Sequence, residues 1–209
     1  MLIKAIEVGY LQTNCYVVAD EATLDAAVID PGADSNLILD YIERCHFHVR
    51  AILLTHGHFD HCMGLDEVHD ATGAAVYMSH ADLTTDIGNG MFGNEDFELD
   101  PPDDTVFVRE GDVIEAGSLT FDVLETPGHT PGGLTFRCED CLFTGDTSAC
   151  PAAGTISPAA ARWSSDIRSK SCAICPAITR STPATRAAQR SNTSGASIRT
   201  CFVHGIYKK

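Results

Sequence analysis

The chain has 209 residues, 44% of them apolar, with 29 acidic against 14 basic side chains and a formal net charge of −15. That length supports one sizeable domain with its own core, and the acidic balance argues against a nucleic-acid partner. There is no run of about 18 apolar residues, and "MLIKAIEVGYLQTN" lacks a basic stretch followed by an apolar one. No membrane partner is therefore expected, and the expected location is cytoplasmic. Nine cysteines, an odd number at irregular spacing, point to free thiols in a reducing compartment.

In chain order, "LIKAIEV" and "NCYVVAD" read as strands, and "DAAVIDPG" as a strand stopped by Pro31-Gly32. "SNLILDYIERC" has helical spacing, with Asp34 or Ser35 as candidate N-cap. "VRAILLTH" reads as an apolar strand around Ala51–Leu54, as in a sheet covered on both faces. "CMGLDEVHDATG" reads as a helix ending at Gly73, "AAVYMS" as a strand, and "HADLTTDI" as a short helix. Residues 88–104 form a loop long enough to suggest function. "TVFV", "DVIEAG", "LTFDVLETPG", "GLTFRCED" and "CLFTGD" follow as strands with polar turns. The C-x-x-C of Cys138 and Cys141 reads as a hairpin turn with the two cysteines facing across it. Pairing with Cys172 and Cys175 in a structural zinc site is the alternative.

The chemistry concentrates in "THGHFDHCMG", Thr55 to Gly64. An apolar strand ends at Thr55, so His56, His58, Asp60 and His61 lie beyond its C-terminal end, where ligands of α/β folds collect. Imidazole nitrogen and carboxylate oxygen suit a borderline metal such as zinc. Gly57 is expected to let the backbone turn so that His56 and His58 face one ion. "ETPGHTPGG" places His129 in a loop after another strand, and "LFTGDT" does the same for Asp146. Asp30, also after a strand, is either support for a ligand or a plain turn residue. His46, His48, His69 and His80 read as surface residues.

These motifs ("TNCYVV", "AVIDPGAD", "ILLTHGHFDH", "TPGHTPGG", "LFTGDT") resemble the metallo-β-lactamase-fold hydrolases. They are most similar to the short glyoxalase II-like (hydroxyacylglutathione hydrolase-like) proteins of that superfamily. The resemblance covers residues 1–147, taken as one domain. It implies an α/β fold, a four-layer αβ/βα sandwich, with two Zn2+ per chain at one edge and Fe or Mn as alternatives. His56, His58 and His129 would hold the first metal, Asp60 and His61 the second, and Asp146 would bridge both. The implied activity is hydrolysis of a small-molecule acyl thioester through a metal-bound hydroxide, with Asp60 as the catalytic residue that orients it. A mono-iron persulfide dioxygenase of the same fold and a catalytically inactive product are the other readings.

The remaining segment breaks the pattern. Residues 1–147 carry 28 acids and five bases, whereas residues 148–209 carry one acid, Asp166, and nine bases; Ser, Thr, Ala and Pro make up 32 of the latter 62 residues. The family continues with a "GR.DFPGG"-like segment and a strand ending in a "PGHG"-like turn, whose histidine completes the second metal position. Neither is present, and His204 is a weak stand-in. Residues 148–209 are therefore expected to be an aberrant, poorly ordered tail that leaves the C-terminal part of the fold incomplete, and a frameshift product. Permissible codons for "CPAITRSTPATR" (Cys175 to Arg186), read from the third base, give P-G-D-Y-A-V-Y-P-G-H-A. The same offset applied to "SACPAAGTISPAAARW" (Ser148 to Trp163) allows R-L-S-C-G-R-Y-D-F-P-G-G-S-A-L.

Overall fold

The structure, a computed structural model, describes residues 1–84 and 97–146. Strands β1 (Leu2–Val8), β2 (Thr13–Ala19), β3 (Asp25–Ile29), β4 (His48–Leu53), β5 (Ala75–Met78) and β6 (Val106–Phe107) form one sheet in that order. The pairs β1–β2 and β2–β3 are antiparallel, and β3 to β6 run parallel. The second sheet is an antiparallel meander of β7 (Val113–Ala116), β8 (Leu119–Glu125), β9 (Leu134–Cys138) and β10 (Cys141–Phe143). Helices α1 (Ser35–Cys45) and α3 (Leu65–Thr72) cover the outer face of the first sheet; α2 (Phe59–Cys62) and α4 (Ala81–Thr84) are single turns beyond β4 and β5.

Two cores explain the apolar strands. Side chains alternate along a strand, so Ala26 and Val28 of β3 and Ile52 of β4 pack toward the helices. Ala27 and Ile29 of β3, with Ala51 and Leu53 of β4, face the second sheet and meet Phe121, Val123, Leu134 and Phe136. From Ala51 to Leu54 the chain is buried on both faces and has no position for a polar residue, which is why "AILL" shows no alternation, while Arg50 at the start of β4 is exposed. The described residues thus form three layers: helices, sheet, sheet. The fourth layer expected over the second sheet, and the aberrant tail at 148–209, lie outside the described residues. So do His204, Cys172 and Cys175, and most of the loop expected at 88–104.

Three local expectations change. The helix read over 62–73 is two helices, broken at Met63-Gly64. The Gly64 amide donates to the Pro31 carbonyl at 2.8 Å, and a Cβ there would lie 2.8 Å from the same oxygen, so this turn is pressed against the β3–α1 loop. Asp34 stands at the N-cap of α1 but makes no capping bond; its Oδ2 accepts from the Gly9 amide at 2.8 Å, tying the β1–β2 turn to the helix. Gly57 does not use a positive φ, and its amide has another role, described below. Other expectations hold: Gly73 caps α3 in the left-handed conformation, and Cys138 faces Cys141 across the β9–β10 hairpin, both as free thiols. His46, His48 and His80 are exposed, while His69 is half-buried and bonded to the Ala74 carbonyl.

Candidate metal centre

Strands β3, β4, β8 and β10 send the expected site residues to one edge of the sandwich. His56 and His58 follow β4, Asp60 and His61 lie in α2, His129 sits in the loop after β8, and Asp146 follows β10. Burial requires the backbone of these loops to be fastened, and it is: the Leu134 amide donates to the Thr55 carbonyl at 2.7 Å, joining the start of β9 to the end of β4. Gly145 adopts φ 52, and a Cβ there would run into the Thr55 hydroxyl, so glycine is required beside Asp146.

The imidazoles converge. Ring centroids of His56 lie 4.8 Å from His58, 4.9 Å from His129 and 4.1 Å from His61, and His58 lies 4.5 Å from His129. Two ligand groups result, His56–His58–His129 and His56–His61–Asp146, with ligand atoms within 4.8 Å of one another in each. His61 Nε2 is 3.4 Å from Asp146 Oδ1 and 3.5 Å from Asp60 Oδ2, and His129 Nε2 is 3.5 Å from Asp146 Oδ2. All six residues expected from the sequence therefore share this edge, with Asp146 between the two histidine groups.

A second set of residues holds the first. Asp30 is 1% exposed, and its Oδ1 accepts from the Thr55 amide at 2.7 Å. Asp30 Oδ2 accepts from the Thr55 hydroxyl at 2.7 Å and from His61 Nδ1 at 3.0 Å. Because the Thr55 hydroxyl proton goes to Asp30, Thr55 Oγ1 can only accept at its 3.1 Å contact with His56 Nδ1. Both rings are thereby anchored through Nδ1, leaving Nε2 to face the site. Of the two readings open for Asp30, it is the support of a site histidine. Thr13 Oγ1 donates to Asp60 Oδ2 at 2.7 Å. Asp82, 4% exposed, accepts from the Gly57 amide, the Thr130 hydroxyl and the Gly132 amide. Thr13, Thr55 and Asp82 escape sequence reading; the one signal for Asp82 is a carboxylate just past a buried strand.

The electrostatics differ across the site. Burial, with the neighbouring His61, His58 and His129, pushes His56 down to about 2, so this ring is neutral at physiological pH. Burial also opposes charge on His61, but Asp30, Asp146 and Asp60 outweigh it and raise that ring to about 10. The hydrogen bond and charge of His61 hold Asp146 at about 2. His129 is lowered by burial and by His58.

A metal fits these residues on their own evidence. Nε2 of His56, on a ring that is neutral, is buried without a hydrogen-bond partner, and Nε2 of His61 faces the carboxylates of Asp146 and Asp60 at 3.4 and 3.5 Å. Leaving a buried polar atom unpaired costs about 1–3 kcal/mol, and a cation at Nε2 of a neutral ring removes that cost. The donor set of imidazoles and carboxylates is that of zinc or iron.

Comparison with known proteins agrees with this geometry. An uncharacterized protein of Aquifex aeolicus is 40% identical over 135 residues, a match covering 63% of this chain and 63% of that relative, just under two thirds of its length. Hydroxyacylglutathione hydrolase GloC of Haemophilus influenzae is 31% identical over 153 residues, covering 70% of this chain and 71% of GloC. Among solved structures, the BLEG-1 B3 metallo-beta-lactamase matches with a TM-score of 0.61 and 28% identity, covering 81% of this chain and 85% of that one. The family model described as the metallo-beta-lactamase superfamily matches residues 8–170. With well over half of its length so matched, and its histidines gathered at one edge of the sandwich, the chain belongs to the metallo-beta-lactamase superfamily, whose members bind divalent metals and are typically hydrolases.

Proposed function

We propose that this chain is a metal-dependent hydrolase of small acyl thioesters, of the glyoxalase II kind. The observation that carries the reading is the convergence of His56, His58 and His129 beside Asp146, His61 and Asp60. His56, His58 and His129 would hold the first metal, Asp60 and His61 the second, and Asp146 would touch both. Bound divalent metals, zinc first and iron or manganese as alternatives, supply Lewis-acid polarisation of a carbonyl and acidify water. The chain's own residues do the rest. Asp30 and Thr55 orient the His61 and His56 rings through Nδ1. Asp60, whose Oδ2 accepts from the Thr13 hydroxyl, would accept a hydrogen bond from the attacking water and so aim it. A thiolate leaves readily, because thiol pKa values lie near ~8.5, so no strong general acid is needed.

The likeness to GloC favours this substrate over the β-lactam suggested by the likeness to BLEG-1. The missing "PGHG"-like histidine supports a second proposal, that the second metal position is the weaker one and the chain less active than its relatives. Partners are proposed to be limited to the small substrate, with no nucleic acid or membrane, and the location to be cytoplasmic. Among the described residues no helix is long and apolar enough to cross a membrane.

The test is His58→Ala. Bound metal and thioesterase activity should both be lost, since His56 and His129 alone leave two imidazoles. Full occupancy by elemental analysis in that variant overturns the assignment. Rates on S-lactoyl thiols should exceed those on β-lactams, and the reverse order overturns the substrate class. Oxygen consumption and sulfite from a persulfide would replace it with the dioxygenase.

A further inference from the structure

Asp82 lies in α4, just beyond β5, and is 4% exposed. A buried carboxylate is expensive unless it is paired or fully hydrogen-bonded. Among the described residues no cation lies within ion-pair distance of it; three donors from two distant segments satisfy it instead. Its Oδ2 accepts from the Gly57 amide at 2.9 Å and from the Thr130 hydroxyl at 2.9 Å, and its Oδ1 accepts from the Gly132 amide at 2.6 Å. Gly57 stands between His56 and His58, and Thr130 follows His129. One carboxylate thus grips both histidine loops of the first metal group. The second oxygen needs Gly132: a Cβ there would lie 2.6 Å from Asp82 Oδ1 and 2.8 Å from its Cγ, at a position whose φ is not in the left-handed region. That glycine is required by the approach of Asp82 and not by its own backbone.

We propose that Asp82 is a positioning residue that sets His56 and His58 against His129, and through that spacing sets the affinity and geometry of the first metal position. The proposal rests on the metal reading above. Asparagine cannot replace the carboxylate, because its amide nitrogen would face a donor at one of the two oxygens.

The test uses the whole chain, with zinc for affinity and cobalt(II) for the visible ligand-field band. Asp82→Asn should weaken the first metal equivalent roughly 10- to 100-fold and alter the cobalt band. Gly132→Ala, which leaves the carboxylate in the sequence but crowds it, should move both in the same direction. Thr130→Val should have a smaller effect, and Thr130→Ser should restore wild-type behaviour. Phe121→Leu, in the core between the sheets, serves as a stability control: it should lower the melting temperature and leave affinity and band unchanged. If Asp82→Asn and Gly132→Ala behave as Phe121→Leu does, the residue is only structural and the proposal is overturned. If Asp82→Asn fails to fold, Gly132→Ala and Thr130→Val decide alone. Wild-type metal uptake that His58→Ala leaves untouched would overturn the metal reading itself, a separate failure.

Discussion

Strand β3 is bracketed by two aspartates that meet opposite surroundings. At its start, Asp25 accepts from Arg50 Nε at 2.7 Å and from the Ser118 amide at 3.3 Å, tying the β7–β8 turn to the first sheet in contact with solvent. Beyond its end, Asp30 accepts from the Thr55 amide, the Thr55 hydroxyl and His61, out of reach of water. Both carboxylates collect a backbone amide from another segment. Water screens the first, whose charge is answered by arginine, and it acts as a surface tie. The second sits where the effective dielectric is low, so its charge reaches the site and, with Asp146 and Asp60, raises His61 to about 10. The same residue type at the two ends of one strand thus fastens the sandwich at one edge and orients a candidate ligand at the other.

Asp30→Ala should produce the largest change. It strands three buried donors, each costing about 1–3 kcal/mol, so the loss of stability should be roughly 3 kcal/mol or more, with the second metal equivalent lost as well. Denaturant unfolding and metal titration check this, and a change no larger than that of Asp25→Ala would remove the distinction between the two ends.

The site end can be sharpened through the tail that follows Asp146. Metal titration of the chain should give a first equivalent roughly tenfold or more tighter than the second. We propose that residues 148–209 are a frameshift product, so sequencing the gene should yield a G-R-x-D-F-P-G-G-like segment followed by P-G-H at one frame offset near codon 147. A protein with that frame restored should bind the second metal more tightly and be more stable, with the Arg50–Asp25 tie unaffected. Absence of both segments from every frame would leave the tail as a genuine variant terminus.

The smallest effect belongs to Asp25. Its carboxyl is held below the usual 3.8 chiefly by the hydrogen bond from Arg50. A depressed folded-state pKa contributes stability that is present above pH 3.8 and lost as pH falls through the folded value. Asp25→Asn should therefore lower the melting temperature slightly near neutrality and flatten its fall below about pH 4. The same scan at high salt should shrink the difference, because this pair is in contact with solvent. An effect as large as that of Asp30→Ala would break the comparison from the other side.

The sequence alone was enough for most of the strands, for helix α1, and for singling out six residues that the structure brings to one edge. A strand buried on both faces must be apolar along its whole length, and ligand loops at strand ends leave short, dense polar motifs, so both signals are local. The break between α2 and α3 was not legible, because it comes from Gly64 pressing on Pro31, a contact between distant segments. Nor, Asp30 aside, were the residues that support the site. Asp82 reads as an ordinary acid in a helical turn, and Thr13 as a residue at the start of a strand. Their roles depend on partners 47 to 50 positions away for Thr13–Asp60, Asp82–Thr130 and Asp82–Gly132. Residue type and spacing reveal which side chains can bind a metal; only packing decides which buried carboxylate holds them in place.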